Sequence, residues 1–137
     1  MNPILFDTNG YSAFKRGDPK AIEIVRNARS MAINATVLGE LLIGFSLGRK
    51  EAENRRELNE FIYSPLVQFL PIIETTAERY AVIEKMLRQA GTPIPTNDIW
   101  IAASALEHGM DLFSHDAHFR HIPALRTGTN LADFAAA

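Results

Sequence analysis

Pro3-Ile4-Leu5-Phe6-Asp7-Thr8-Asn9 is a short apolar run that stops abruptly at a carboxylate. Too few residues lie between Pro3 and the Asn9-Gly10 pair to complete several helical turns, so the run reads as a buried strand of an open sheet. Asp7 then falls at the carboxyl end of that strand. In open parallel sheets that edge is where ligands bind, and a charge placed there without an adjacent cation calls for a counter-ion. A divalent metal is the expected one.

The rest of the chain alternates helical patterns with further short apolar runs. Asp18-Pro19 reads as an N-cap and a first-turn proline, opening a helix that turns Ala21, Ile22 and Val25 inward. Residues 31–35 are apolar enough for a second buried strand. Thr36 is placed to cap a helix over 37–47, whose inner side is Val37, Leu38, Leu41, Leu42 and Phe45, with Gly48 ending it. Residues 49–60 are densely charged and read as a helix with one solvated face, broken by Pro65. A third strand is expected over 67–72. Thr75-Thr76-Ala77-Glu78 resembles a capping box, opening a helix with Tyr80, Ile83, Met86 and Leu87 inside and Gly91 behind it. Pro93-Ile94-Pro95 cannot continue a helix, and Thr96 is placed to cap the next one, over 97–108, before Gly109. Residues 110–114 give a fourth strand, 116–120 a turn or short helix, and 124–127 a last strand. This alternation predicts an α/β layer sandwich with a mainly parallel sheet.

Composition agrees with an ordinary folded protein. The 137 residues fit a single domain, 1–137, with 47% hydrophobic and 22% charged residues. A net charge of -2 provides no global basic field, so attraction for a nucleic acid would have to be local or carried by bound metal. The absence of cysteine excludes disulfides, thiolate catalysis and cysteine-ligated zinc. No signal-like segment is read at the start, and the apolar block around Leu41-Leu42-Ile43-Gly44-Phe45 is far too short to span a bilayer, so a soluble cytoplasmic protein is expected.

Four carboxylates fall at comparable points of the alternation: Asp7 after strand one, Glu40 in the helix after strand two, Asp98 in the first turn of a helix, and Asp116 after strand four. At about 100° per residue, the helix from Asn97 buries Ile99, Ala102, Ala103 and Leu106, and Asp98 falls at the edge of that face. Glu40 stands off the centre of its apolar stripe, beside Thr36 and Gly44. Each acid alone has a plain reading: Asp98 complements the helix dipole, Asp116 makes a turn, and Glu40 is solvated. Their joint placement on one sheet edge favours a shared pocket. Carboxylates crowded together repel, and such oxygen-rich clusters suit Mg²⁺ or Mn²⁺. A bound ion can activate a water and neutralise charge on a phosphate, which points to phosphodiester hydrolysis.

These stretches resemble the motifs of PIN-domain ribonucleases, in particular the VapC-like toxins of toxin-antitoxin pairs. Ile4-Leu5-Phe6-Asp7-Thr8-Asn9 looks like the first acidic motif, and Thr36-Val37-Leu38-Gly39-Glu40-Leu41-Leu42-Ile43-Gly44 like the second. Asn97-Asp98-Ile99-Trp100-Ile101-Ala102-Ala103-Ser104-Ala105 is similar to the third, and the segment from Gly109 to Phe119 to the fourth. The resemblance implies a PIN-like three-layer sandwich and an acidic site of Asp7, Glu40, Asp98 and Asp116, with Thr8, Asn9 and Ser114 as polar helpers. Ser114 departs from the commoner threonine but keeps the hydroxyl. It further implies a Mg²⁺- or Mn²⁺-dependent endoribonuclease, commonly a homodimer, inhibited by a cognate antitoxin. Asp7 and Asp98 are the expected holders of the principal metal, joined by Asp116, with Glu40 positioning or deprotonating the attacking water.

Other features have both a functional and a plain reading. His115, His118 and His121 recur every three residues, but without cysteine or a long helix they are read as exposed loop histidines rather than zinc ligands. Arg49, Lys50, Arg55 and Arg56 interleave with Glu51, Glu53 and Glu57, which favours a solvated helix over a phosphate-binding one. Lys15, Arg16 and Lys20 are expected near the mouth of the site. Trp100 points away from its helix's buried stripe, towards a base or, preferably, a partner protein. Two rival functions stand beside the nuclease. A Mg²⁺-dependent aspartyl phosphatase would want a second acid where Asn9 stands, and a non-catalytic regulatory module would be indifferent to loss of the carboxylates.

Overall fold

The computed structural model describes residues 1–135. Strands β1 (Ile4–Phe6), β2 (Met31–Asn34), β3 (Val67–Leu70), β4 (Asp111–Phe113) and β5 (Thr127–Gly128) form one sheet in the order β3-β2-β1-β4-β5, and every pairing is parallel. Parallel neighbours require crossovers, which helices supply. Helices α1 (Thr8–Lys15) and α2 (Pro19–Asn27) link β1 to β2, α3 (Ala35–Ser46) and α4 (Glu51–Ile62) link β2 to β3, and α5 (Glu74–Ala90) and α6 (Thr96–Glu107) link β3 to β4. A 3₁₀ turn, Ala117–His121, leads to β5, and a short α7 (Leu131–Ala135) follows. The expected α/β sandwich with a parallel central sheet flanked by helices is the one observed. No helix among the described residues is long and apolar enough to cross a membrane.

The central strands are buried along their whole length, which is why they read as unbroken apolar runs rather than as alternating ones. Phe6 meets Phe113 edge-on at 5.2 Å, and Phe61 of α4 packs against both Phe6 at 5.8 Å and Tyr11 at 5.2 Å. This aromatic cluster fixes β1 between β4 and the α1/α4 layer. The sheet order reverses at β1, whose neighbours are β2 on one side and β4 on the other. The crevice outside the carboxyl ends of β1 and β4 is therefore the topological switch point, where open α/β sheets bind ligands.

Several boundaries differ from the sequence reading. Asn9-Gly10 is not a turn: the chain passes from Asp7 directly into α1, with Asp7 as N-cap accepting from the Gly10 backbone N–H at 2.7 Å. Strand β2 stops at Asn34, and Asn34 rather than Thr36 caps α3, its Oδ1 accepting from Val37 N–H at 2.9 Å. Strand β3 ends at Leu70, before Pro71, which has no N–H to offer a ladder. Helix α5 begins at Glu74, and the Thr76 hydroxyl accepts from the Ile73 N–H at 3.1 Å. The last strand is only Thr127–Gly128, and α7 carries no sequence signal strong enough to have been read. Trp100 stacks on Tyr80 of α5 at 4.2 Å, so its first partner lies within its own chain. The helix ends at Gly91 and near Gly109 fall as expected, with both glycines at positive φ.

Candidate active site

The strand register builds the site. Phe6 pairs with Phe113, so the next residues, Asp7 and Ser114, emerge side by side at the carboxyl edge. Asp7 is only 5% exposed. Its carboxylate accepts from the Gly10 N–H and hydrogen-bonds with the Ser114 hydroxyl. Burial pushes its pKa from the ordinary 3.8 up to about 6; the Ser114 and Gly10 hydrogen bonds oppose the rise and the neighbouring Asp98 charge adds to it. The Ser114 Oγ also accepts from the Asp116 N–H at 3.0 Å, which holds the turn that carries Asp116.

Glu40 reaches the same place from α3. The Thr8 hydroxyl donates to its Oε1 at 2.5 Å, and the Asn97 amide donates to its Oε2 at 3.3 Å. One carboxylate thus receives the first residue of α1 and the first turn of α6. Asn34 sets the distance between α3 and α6. It is fully buried, and its amide nitrogen donates to the Trp100 carbonyl at 3.2 Å and to the Ser104 hydroxyl at 2.9 Å while its oxygen caps α3.

Asp98, in the first turn of α6, is half-buried as its angular position predicts. Burial raises its pKa; the hydrogen bond from His118 opposes the rise, and the Asp116 and Glu40 charges add to it. His118 is exposed, as the sequence reading has it, but it also has acidic partners. It lies in the exposed 3₁₀ turn, but its Nδ1 sits 2.9 Å from Asp98 Oδ2 and 3.0 Å from Asp116 Oδ1. The available signal was the Asp116-x-His118 spacing in a tight turn, which folds the imidazole back onto the acid. The Asp98 hydrogen bond in turn raises the His118 pKa.

Asp7, Thr8, Asn9, Glu40, Asp98 and Asp116 line one cleft of about 200 Å³, with Ile101 as its apolar wall. Every predicted acid and two of the three polar helpers face it, and the third, Ser114, stands behind Asp7. Such a set of oxygen donors, with a buried carboxylate that resists ionisation in the absence of a cation, fits a hard divalent ion. The predicted basic residues do not gather here. Lys15 is at the far end of α1 from Asp7 and pairs with Glu57 at 3.1 Å, and it lines with Arg16 a separate hollow of about 330 Å³ between α1 and α4. Arg55 pairs with Glu51 at 3.5 Å along α4, as a solvated helix should.

Comparison with known proteins gives the family and the fold. A family model described as PIN domain matches residues 4–125. Ribonuclease VapC4 of Mycobacterium tuberculosis is 30% identical over 91 residues, covering 66% of this chain and 70% of that one. FitAB bound to an IR36 DNA fragment is similar in structure, with a TM-score of 0.77 and 26% identity over 91% of this chain and 93% of that chain. DNA-bound VapBC from Salmonella typhimurium has a TM-score of 0.81 at 24% identity, over 93% of this chain and 98% of that one, a likeness of fold.

Proposed function

Because the chain belongs to the PIN domain family, we propose that it is a metal-dependent endoribonuclease and the toxin of a toxin-antitoxin pair. The observation that carries this reading is the convergence of Asp7, Glu40, Asp98 and Asp116, from four separate segments, on one cleft at the sheet's switch point. The 30% identity to a ribonuclease supports RNA as the substrate. Asp7 and Asp98 would hold the principal Mg²⁺ or Mn²⁺ ion, with Asp116 beside them. Held there, such an ion would supply charge neutralisation at the scissile phosphate and a lowered pKa for the attacking water.

The chain's own residues do the rest. Glu40, fixed by Thr8 and Asn97, orients the attacking water and takes its proton. Ser114 and the Gly10 N–H hold the Asp7 carboxylate in one orientation. Asn9 stands where an aspartyl phosphatase would want a second acid, which favours water as the nucleophile; as the resemblance to PIN-domain ribonucleases implies, the products would carry a 5′-phosphate and a 3′-hydroxyl. The two rival functions have no such support. A phosphatase lacks its second acid at Asn9, and a binding module has no need to bury Asp7.

Similar solved structures include a toxin-antitoxin complex from Klebsiella pneumoniae and a VapBC toxin-antitoxin member from Mycobacterium tuberculosis, and we assign this chain a cognate antitoxin, a homodimeric state and a cytoplasmic place of work. Large apolar side chains exposed at Ile43, Leu47, Tyr63 and Val82 are surface that a protein partner would cover. The test is cleavage of structured RNA by the purified protein with Mg²⁺, with Mn²⁺ and with EDTA, alongside Asp98→Asn. Cleavage by the wild type alone, dependent on metal and leaving ligatable 5′-phosphate ends, is expected. Undiminished cleavage in EDTA or by folded Asp98→Asn would sink the assignment.

A further inference from the structure

We propose that His118 is a ligand of the metal site and gives it a preference for Mn²⁺ over Mg²⁺. The inference rests on the metal-site reading above and names a donor that the four carboxylates do not include. Its ground is geometric. The 3₁₀ turn is closed by Asp116 Oδ1 accepting the His118 backbone N–H at 2.9 Å, which brings the imidazole back over the cleft. Nδ1 then stands 2.9 Å from an oxygen of Asp98 and 3.0 Å from an oxygen of Asp116. Adjacent ligands of an octahedral ion with bonds of about 2.1 Å are separated by √2 times that length, about 3 Å. The imidazole nitrogen therefore already stands from each of the two carboxylate oxygens at the spacing of neighbouring vertices around a small divalent ion, and the three atoms lie within 4.8 Å of one another. Asp98, Asp116 and His118 also form the one metal-compatible trio identified among the described residues.

The donor type sets the selectivity. Mg²⁺ prefers oxygen ligands and gives up its waters reluctantly, so a nitrogen vertex adds little to its binding. Divalent transition ions gain more from an imidazole, in a series that starts at Mn²⁺. The site is not a structural zinc centre, because the chain has no cysteine and one histidine alone joins the trio. The side chain of His118 is 47% exposed, which leaves it able to adjust by a rotation of the ring as the ion enters.

Pulsed electron paramagnetic resonance of Mn²⁺ bound to the full chain reads this directly. The wild type should show ¹⁴N coupling from a coordinated imidazole, replaced by ¹⁵N coupling when histidine alone is ¹⁵N-labelled. His118→Ala should abolish it and weaken Mn²⁺ binding at least tenfold, with Mg²⁺ binding, measured by competition, changed less than twofold; His115→Ala should leave the coupling in place. Mn²⁺ held by the wild type without nitrogen coupling would overturn the proposal and leave the acidic site standing. An unchanged Mn²⁺/Mg²⁺ ratio in folded His118→Ala would overturn it too. Failure of the wild type to bind Mn²⁺, or equal binding by Asp98→Asn, would overturn both this proposal and the metal-site reading. The wild-type spectrum is decisive whether or not the alanine variant folds.

Discussion

The backbone N–H of Gly10 donates to Asp7 Oδ1 at 2.7 Å, and the same glycine leaves no room for a side chain: a Cβ there would stand 2.7 Å from the Phe113 carbonyl oxygen and 3.1 Å from Asp7 Oδ1. Gly10 lies inside α1, where alanine is intrinsically better by about 1 kcal/mol. The clash outweighs that gain. The Phe113 oxygen accepts the Asp7 N–H at 3.3 Å in the β1/β4 ladder, so it cannot retreat without opening the sheet. Overpacking of this kind costs about 1–3 kcal/mol. Gly10→Ala is expected to lower stability in urea despite its better propensity, and to weaken divalent-ion binding because Asp7 is displaced. A variant as stable as the wild type would refute the packing argument.

Asn34 is the joint between α3 and α6. Replacing it with leucine of similar size leaves the Val37 N–H and the Ser104 hydroxyl without partners in the interior. Each such loss costs about 1–3 kcal/mol. Asn34→Leu should therefore destabilise by about 2–4 kcal/mol, and adding Ser104→Ala should recover part of it. The double-mutant cycle measures the coupling directly, and additive effects would contradict it.

These two residues also show how far the sequence could be read. The alternation of helices and buried strands was legible because each central strand is buried on both faces and bounded by Gly, Pro or a capping residue. The four acids were legible because a parallel sheet brings the ends of its strands to one edge. Helix α1 was not, because Asn9-Gly10 has the composition of a turn; only the 2.7 Å bond to Asp7 and the closeness of Phe113 explain a glycine there. Local chemistry alone places Asn34 in the strand interior, because Thr36 is an equally good cap. The choice is made by Ser104 and the Trp100 carbonyl, about seventy positions away. His118 reads only as an exposed loop histidine for a similar reason: pattern alone does not reveal that Asp98 lies 2.9 Å from its ring.

Thr8 and Glu40 are joined by a 2.5 Å hydrogen bond. If Glu40 takes the proton of the attacking water, its orientation matters more than its presence, and general-base contributions are of order 10²–10⁴. Thr8→Val, which keeps the shape and removes the donor, should lower kcat by about tenfold or more with little change in KM, while Thr8→Ser should retain most activity. Single-turnover cleavage of a defined RNA distinguishes the two. Equal rates for the valine and serine variants would remove Thr8 from the machinery.

The buried Asp7 sets stability against function. Its folded-state pKa of about 6 lies above the ordinary 3.8, so between those values the folded chain keeps a proton that the unfolded chain releases. Stability contributed by this group is thus greatest at low pH, falls as pH rises through that window, and is lost above about pH 6. The gap corresponds to about 3 kcal/mol. Asp7→Asn keeps an acceptor for the Gly10 N–H without the charge. In metal-free protein it should therefore raise stability by up to about 3 kcal/mol at pH 7.5, with the advantage vanishing towards pH 4. Divalent ion at about a thousand times Kd should reverse the order, because binding to the folded state then adds about 4.1 kcal/mol and the asparagine variant forfeits most of it. Cleavage should be lost in that variant at every pH. Thermal unfolding of both proteins at pH 4.5 and pH 7.5, with EDTA and with Mn²⁺, tests all four corners. An asparagine variant less stable than the wild type in EDTA at pH 7.5 would show that the Asp7 charge is already compensated without a metal.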